Sequence, residues 1–287
     1  MLNIADAFQA DPAYFKKLSV KDSLLVNYNC PQIETWADLY TNFNHIIYTI
    51  GGTRQIVRPE KTIEAKKGSI TFLRKSAFQQ GKFHEEAWQV IVFAVHDDYL
   101  KKIVNEFQPQ TKISPLGRVS KADMLFEVKS NDMLDAFFFS ILPYFKQHPP
   151  PAEKLLELKM RELMLNILSD ESNASLLSYI KHILNDRISA FAEVMEANYM
   201  YNLSLAEFAK LTHHSLTSFK KEFGNIFKET PGKWLLEKRL ETACVHLKTT
   251  EKPVVEIAYQ CGFESITHFN RAFKAKLNAT PLQYRSG

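Results

Sequence analysis

Cysteine is scarce in this chain. The 287 residues hold three, Cys30, Cys244 and Cys261. They lie too far apart for metal-ligand spacing, and an odd number excludes a fully paired disulfide framework. The pattern fits a reducing compartment, the cytoplasm, with each thiol serving as a small core residue. Long apolar runs are missing as well. Nothing approaches the ~18 residues of a membrane span. The greasiest stretch, Phe137-Phe138-Phe139, is bracketed by Asp135 and Pro143. Met1-Leu2-Asn3-Ile4-Ala5-Asp6 has neither a basic region nor a long apolar core, so no secretory leader and no membrane partner are expected. No P-loop, dinucleotide fingerprint or nucleophile motif occurs, so no catalytic residue is expected and the chain is not read as an enzyme. Between His45 and Asp98 there is no His-x-His, and the His/acid clusters are His84-Glu85-Glu86 and His96-Asp97-Asp98. These read as polar residues of strand ends and loops, so neither a metal nor a cofactor is expected.

What is present is ordinary in bulk and uneven in placement. Hydrophobic residues make up 45% and charged residues 24%, which fits a soluble globular chain of one to three domains. Net charge is +4 overall, yet Tyr199–Gly287 alone carries 13 Lys+Arg against 8 Asp+Glu. A basic C-terminal part joined to a near-neutral remainder points to a nucleic-acid module attached to something else.

The N-terminal part alternates with a period of two. A short helix around Ile4–Phe8 and an apolar turn near Tyr14–Leu18 come first. Strands are expected at Ser23–Tyr28, Ile46–Ile50, Thr53–Val57, Lys61–Ala65, Ser69–Leu73 and Trp88–Val95, with turns at Gly51-Gly52 and Lys67-Gly68. Short strands at this spacing predict a small antiparallel β-barrel or sandwich. Helical patterning follows at Asp98–Phe107, with one more strand at Met124–Val128. Asp132–Gln147 reads as a helix with more apolar surface than one core-facing stripe needs, either a dimerisation helix or a core helix. Pro149-Pro150-Pro151 breaks the chain. Helices resume at Glu153–Leu168, Ser175–Leu184 and, capped by Asn185-Asp186, at Arg187–Asn198. The expected domains are 1–130, a helical connector over 131–185, and a DNA-binding domain over 186–287.

The last ninety residues contain a repeat. Val254–Arg285 fits two short helices joined at Gly262, with Glu264 or Ser265 capping the second and Phe269 and Phe273 on one face. This is a helix-turn-helix over about 254–273. Phe219, Phe223 and Pro231 recur 50 residues later as Phe269, Phe273 and Pro281, whereas Ala209 recurs 49 later as Ala258. The first copy, about 204–223, therefore has a turn one residue shorter. Ser204 with Glu207 forms a capping box, and Ser215 caps the second helix of that copy. Between the copies, Pro231–Leu247 reads as a long helix with Leu236, Leu240, Ala243 and Leu247 on its apolar side. Eighteen helical residues would span about 27 Å, near the ~34 Å between successive major-groove faces.

The segments I-A-Y-Q-C-G-F-E-S, H-F-N-R-A-F-K and T-P-L-Q-Y-R closely resemble the C-terminal signature of AraC/XylS-type bacterial transcription regulators. The resemblance is strong over about 186–287. It implies an all-α domain with two DNA readers, double-stranded DNA and RNA polymerase as partners, and homodimers. His213 departs from the pattern, standing where the family carries a turn glycine. Before residue 186 the likeness is loose: Asn44-His45-Ile46-Ile47-Tyr48 and the Gly68 hairpin resemble the family's cupin-like sensor domains. That implies an effector, either a small molecule or, as in the subtype that resembles type III secretion activators, a protein. By motif position the first reading helix exposes Thr217, Ser218, Lys220 and Lys221, and the second exposes Ile266, Thr267, Asn270 and Arg271. Arg271 suits guanine, Asn270 adenine or phosphate, Ile266 a thymine methyl, and Lys221 guanine or phosphate. Lys228, Lys233, Lys274 and Lys276 read as phosphate- or solvent-facing. Two alternatives stand beside this reading: a metal-dependent cupin-type enzyme fused to a DNA-binding module, and an architectural DNA binder without base preference.

Overall fold

The computed structural model describes residues 1–10, 14–83, 86–107, 123–173, 176–180 and 187–286. They fall into two compact units, Leu2–Ala190 and Phe191–Gly287.

The first unit opens with β1 (Leu2–Asn3), α1 (Ile4–Ala10), β2 (Phe15–Val20), β3 (Ser23–Asn29), β4 (Trp36–Thr41) and β5 (Asn44–Gly51). It continues with β6 (Thr53–Val57), β7 (Thr62–Lys66), β8 (Ile70–Leu73), β9 (Ser76–Gly81), β10 (Gln89–Val95), α2 (Asp97–Phe107) and β11 (Leu125–Val128). The strands make two sheets, ordered β1-β4-β9-β6-β7 and β11-β8-β5-β10-β3-β2. Pairing is antiparallel throughout, except that β1 runs parallel to β4. Between the sheets lies one apolar core, with Ile56, Ile63 and Phe78 of the smaller sheet against Val26, Ile47, Val90 and Val92 of the larger. The other face of the larger sheet, with Ile46, Tyr48, Phe72 and Phe93, packs on helices. The larger sheet is thus buried on both faces, which is why β5 and β10 read as continuous apolar runs rather than alternations. The smaller sheet keeps one wet face, and β7 alternates strictly. At the β5–β6 hairpin Gly52 sits at φ +71°, and a Cβ there would collide with the Ala87 carbonyl oxygen.

Helices α3 (Asp132–Ile141) and α4 (Glu153–Leu168) cover the larger sheet. Asn131 caps α3 by accepting from the Leu134 N–H. Phe138 stacks on Tyr48 with ring centroids 4.3 Å apart. Leu134, Phe137, Phe138 and Ile141 are buried, while Met133 is 68% and Phe139 51% exposed.

The expected β-rich first part followed by an all-α part is what the chain forms, with several local corrections. The apolar turn expected near Tyr14–Leu18 is strand β2, held by its pairing with β3. Strands β4 and β9 were not expected, because W-A-D-L-Y-T and S-A-F-Q-Q-G each put only one large apolar side chain, Leu39 and Phe78, into the inter-sheet core. The helix expected over Asp132–Gln147 stops at Ile141 and tightens to a 3-10 turn over Leu142–Lys146. Pro143 enforces this, since its ring would clash with the carbonyl four residues back in a continuing α-helix. In the His96-Asp97-Asp98 cluster, Asp97 pairs with Lys75 at 2.6 Å and accepts from Asn44 Nδ2 at 2.8 Å. Burial opposes its charge, but the Lys75 ammonium and these hydrogen bonds outweigh burial and hold the carboxyl well below its usual range. Residues 176–180 are helical, as expected, whereas the rest of the helix expected at Ser175–Leu184, His84 and Glu85, and the Asn185-Asp186 cap lie outside the described residues.

Candidate nucleic-acid interface

The second unit is helical. It contains α5 (Arg187–Asn198) from Phe191 onward, α6 (Leu205–Leu211), α7 (Leu216–Phe227), α8 (Pro231–Thr249), α9 (Val254–Gln260), α10 (Ile266–Leu277) and α11 (Pro281–Ser286). The repeat is realised as two helix-turn-helix units, α6–α7 and α9–α10, joined by α8.

Each unit is fixed by local chemistry that the sequence spells out. Ser204 accepts from the Glu207 N–H, and the Glu207 carboxylate accepts from the Ser204 N–H at 2.7 Å, completing a capping box on α6. Ser215 caps α7 by accepting from the Ser218 N–H, and Ser265 caps α10 by accepting from the His268 N–H, both at 3.2 Å. The turn residues His213 and Gly262 occupy the same left-handed conformation, at φ +58° and +82°. The repeat extends to the far end of the reading helices, where Lys228 and Asn278 are left-handed C-caps at φ +59° and +54°.

Phenylalanines four apart form both cores. Phe219 and Phe223 are buried with Phe191 and Trp234 in the first. Phe269 and Phe273 pack with Ile257, Ala258, Phe263, Leu240, Ala243 and Leu247 in the second. The connecting helix is therefore shared. Its N-terminal Trp234 belongs to the first core and its later turns to the second. Its 19 residues rise by about 28 Å.

The structure also shows why the second turn needs glycine for more than its φ. A Cβ on Gly262 would lie 2.5 Å from the Met200 carbonyl oxygen and 3.0 Å from Arg239 Nε. Arg239 itself donates from Nε to the Tyr199 carbonyl and from Nη2 to the Tyr201 carbonyl, both at 2.8 Å. Burial lowers its pKa from the ordinary arginine value. Sequence reading gave Arg239 no role. Its partners are backbone carbonyls some forty residues away, which leave no motif.

Of the expected readers, Thr217, Ser218, Lys220 and Lys221 are exposed on α7, and Thr267, Asn270 and Arg271 on α10. Ile266 is different. It is half-buried against the second core, because it continues the stripe of Phe269, Phe273 and Leu277. His268, which is not among the expected readers, is exposed beside Thr267 at the position corresponding to Ser218, with its ring edge-on to Phe263. The lysines divide into two sets. Lys233 pairs with Glu229, Lys238 with Glu196, Lys252 with Glu256 and Lys276 with Glu237. By contrast, among the described residues no carboxylate pairs with Lys220, Lys221, Arg271 or Lys274, all on reading helices. Lys276, expected to face phosphate or solvent, is held at 2.8 Å from Glu237 on α8. No helix among the described residues is long and apolar enough to cross a membrane, and no three described His, Cys, Asp or Glu residues come together as a metal-ligand set.

Two families match the chain. The one described as ExsA N-terminal regulatory domain covers residues 44–179, and the one described as Helix-turn-helix domain covers residues 208–287. The thermoregulatory protein LcrF of Yersinia pestis is 24% identical over 228 residues, spanning 78% of this chain and 82% of LcrF. The regulatory protein SoxS of Salmonella typhimurium is 32% identical over 83 residues, spanning 29% of this chain and 78% of SoxS. Among solved structures, ToxT from Vibrio cholerae aligns over 92% of this chain and 98% of ToxT, with a TM-score of 0.44 and 17% identity.

Proposed function

The chain belongs to the AraC/XylS-type transcription regulators, and we propose from that premise that α7 and α10 enter successive major-groove segments of one DNA duplex. The observation that carries this reading is the pair of serine-capped helices, 50 residues apart on a shared connecting helix, each presenting exposed cations that no carboxylate holds among the described residues. Cations without internal partners are available to phosphates and to guanine edges. Arg271 takes the guanine contact, Asn270 an adenine or phosphate, and Thr267 and His268 flank them. Thr217, Ser218, Lys220 and Lys221 form the first reader. Ile266 reaches a thymine methyl only with the part of its side chain that the core leaves uncovered.

The test is a binding selection from random duplex DNA with the full chain. The expected outcome is a motif with two half-sites about one helical turn apart. Arg271→Ala then weakens binding to the selected site by ~1–3 kcal/mol and relaxes one base position. Equal losses on selected and random DNA would remove Arg271 from base reading, and recovery of no motif would favour the architectural binder.

The first unit receives the signal in this proposal, as an effector domain for a small molecule or a protein, in a cytoplasmic regulator that engages RNA polymerase. Homodimers form through the apolar surface that Met133 and Phe139 leave exposed on α3 and Leu155 and Leu158 on α4. Sedimentation at high protein concentration tests this, and a monomer there would reject it. No observation favours the metal-dependent enzyme, and elemental analysis of the purified full chain is its direct test.

A further inference from the structure

The turn at Gly262 is covered by backbone from the other helix-turn-helix unit. Residues 199–203 join α5 to α6 and so lead into the first unit. They are folded tightly on themselves. The Tyr201 N–H donates to the Asn198 carbonyl at 3.0 Å and the Leu203 N–H to the Tyr201 carbonyl at 2.8 Å. Gly262 lies so close to this segment that a Cβ on it would come within 2.5 Å of the Met200 carbonyl oxygen. Arg239 reaches the same segment from α8. Its Nε and Nη2 donate to the carbonyls of Tyr199 and Tyr201, both at 2.8 Å. One planar guanidinium thus holds the residues on either side of Met200.

Other contacts fix the end of α5 on the connecting helix. The Tyr199 hydroxyl shares a hydrogen bond with Thr242 Oγ1 at 2.8 Å, its ring lies edge-on to Trp234, and Glu196 pairs with Lys238 at 2.9 Å. Arg239 adds the second unit to this assembly. Its Nε is 3.0 Å from where a Cβ on Gly262 would stand, and the Glu264 carboxylate, two residues further on, is within its electrostatic reach. Three segments therefore meet at one guanidinium: the entry to the first reader, the connecting helix and the turn of the second reader. The corresponding place in the first turn carries the whole exposed side chain of His213, whereas the second turn has no room for a methyl.

We infer that Arg239 is a positioning residue for DNA reading: it docks the entry of the first reader against the turn of the second and so sets the angle and spacing of α7 relative to α10. A connecting helix by itself fixes distance but lets each reader rock on its packing contacts. A clamp at the second turn removes that freedom. One base pair added between half-sites moves the far one by about 3.4 Å and turns it by about 34°. A clamped pair of readers loses contacts on such a site, and a loose pair adapts to it. The second reader adds its full share to affinity only while the two are held at the right span. The inference rests on the reading of α7 and α10 as successive major-groove readers. It names a residue on neither helix that governs half-site spacing.

Binding of the full chain to the duplex recovered by selection tests it, with the natural chain, Arg239→Met and Arg239→Lys. Each protein is measured on the intact site, on each half-site with the other scrambled, and on sites one base pair longer or shorter between the half-sites. Arg239→Met keeps the apolar stem and removes both donors. It should bind the intact site about tenfold more weakly, keep each single half-site within about twofold, and lose most of the discrimination against altered spacing. Arg239→Lys keeps one charged donor and should fall between the two. Thermal unfolding of the same samples shows which proteins are folded at the assay temperature, and Arg239→Lys carries the comparison where Arg239→Met is not. Equal losses on intact and single half-sites would overturn the proposal and leave Arg239 a support of the fold alone. So would an unchanged spacing preference in the variants, or a natural chain indifferent to one base pair. These results leave the two readers standing. A selection that yields no paired half-sites counts against the two-reader reading itself, and the inference falls with it.

Discussion

The two helix-turn-helix units reach one backbone by different chemistry. Both turns pass through a left-handed residue, yet one uses His213 and the other Gly262. Both reading helices end in a left-handed cap, yet one uses Lys228 and the other Asn278. In the second unit the left-handed positions carry glycine and asparagine, the types that enter that region most readily, whereas the first uses histidine, which enters it at some strain, and lysine, which is not favoured there. The first unit compensates elsewhere. Its leading helix has a complete capping box, while the leading helix of the second starts at Pro253 with no side-chain cap. A repeat can therefore keep its geometry while redistributing strain, and the two readers need not be equally stable or equally selective.

The largest expected effect separates the two turns most sharply. Gly262→Ala places a methyl 2.5 Å from the Met200 carbonyl at φ +82°. Left-handed strain of ~1–2 kcal/mol adds to overpacking of ~1–3 kcal/mol. The variant should lose about 3 kcal/mol in chemical denaturation and should lose the second half-site before the first in footprinting. Unchanged stability would mean that the close approach to Met200 relaxes freely. Next comes the comparison of readers. Arg271→Ala should cost more on the selected site than Lys221→Ala, because a guanidinium can bind guanine in a bidentate way and an ammonium cannot. If Lys221 contacts phosphate alone, its loss weakens all sequences alike and lowers the salt slope by about 0.9. The reverse ranking would make the first unit the specificity reader. Smaller still are the caps. Ser215→Ala and Ser265→Ala each remove one bond to an otherwise unpaired N–H, at about 1 kcal/mol. Denaturation curves should show similar losses, and a much larger one at either site would reveal unequal dependence on the cap.

The helical unit was the more legible of the two in sequence, because its information is local. Serines three residues before a backbone N–H, phenylalanines four apart and prolines at first turns each state their structure within one helical turn. The one-residue difference between the turns was readable from the 49 and 50 offsets. Ile266 was also readable, since it continues the stripe of Phe269 and Phe273 that marks the buried face, yet its position in the motif made it look like a reader. What could not be read was long-range. Arg239 acts on carbonyls at 199 and 201, and Lys276 meets Glu237 across 39 positions. In the β-rich unit the strands buried on both faces announce themselves as apolar runs. Strands β4 and β9 touch the core with few side chains and were invisible to a search for such runs. The buried Arg54 lay unremarked in a short strand, because nothing in T-R-Q-I-V tells an inward arginine from an outward one until the register with β7 is known.

The smallest expected effect is the most direct check on how the two turns differ. His213 is exposed at φ +58°, so glycine there relieves left-handed strain of ~1–2 kcal/mol. The unfolded chain gains freedom with glycine, which takes back ~0.5–1 kcal/mol. His213→Gly should therefore stabilise the chain by up to about 1 kcal/mol, visible as a small rise in the denaturation midpoint with an unchanged slope. Affinity for the first half-site should stay within about twofold, since His213 lies before the reading helix rather than on it. The opposite sign would show that the contacts of the His213 side chain outweigh its backbone strain. The first turn would then be specialised in its own right and not a strained copy of the second.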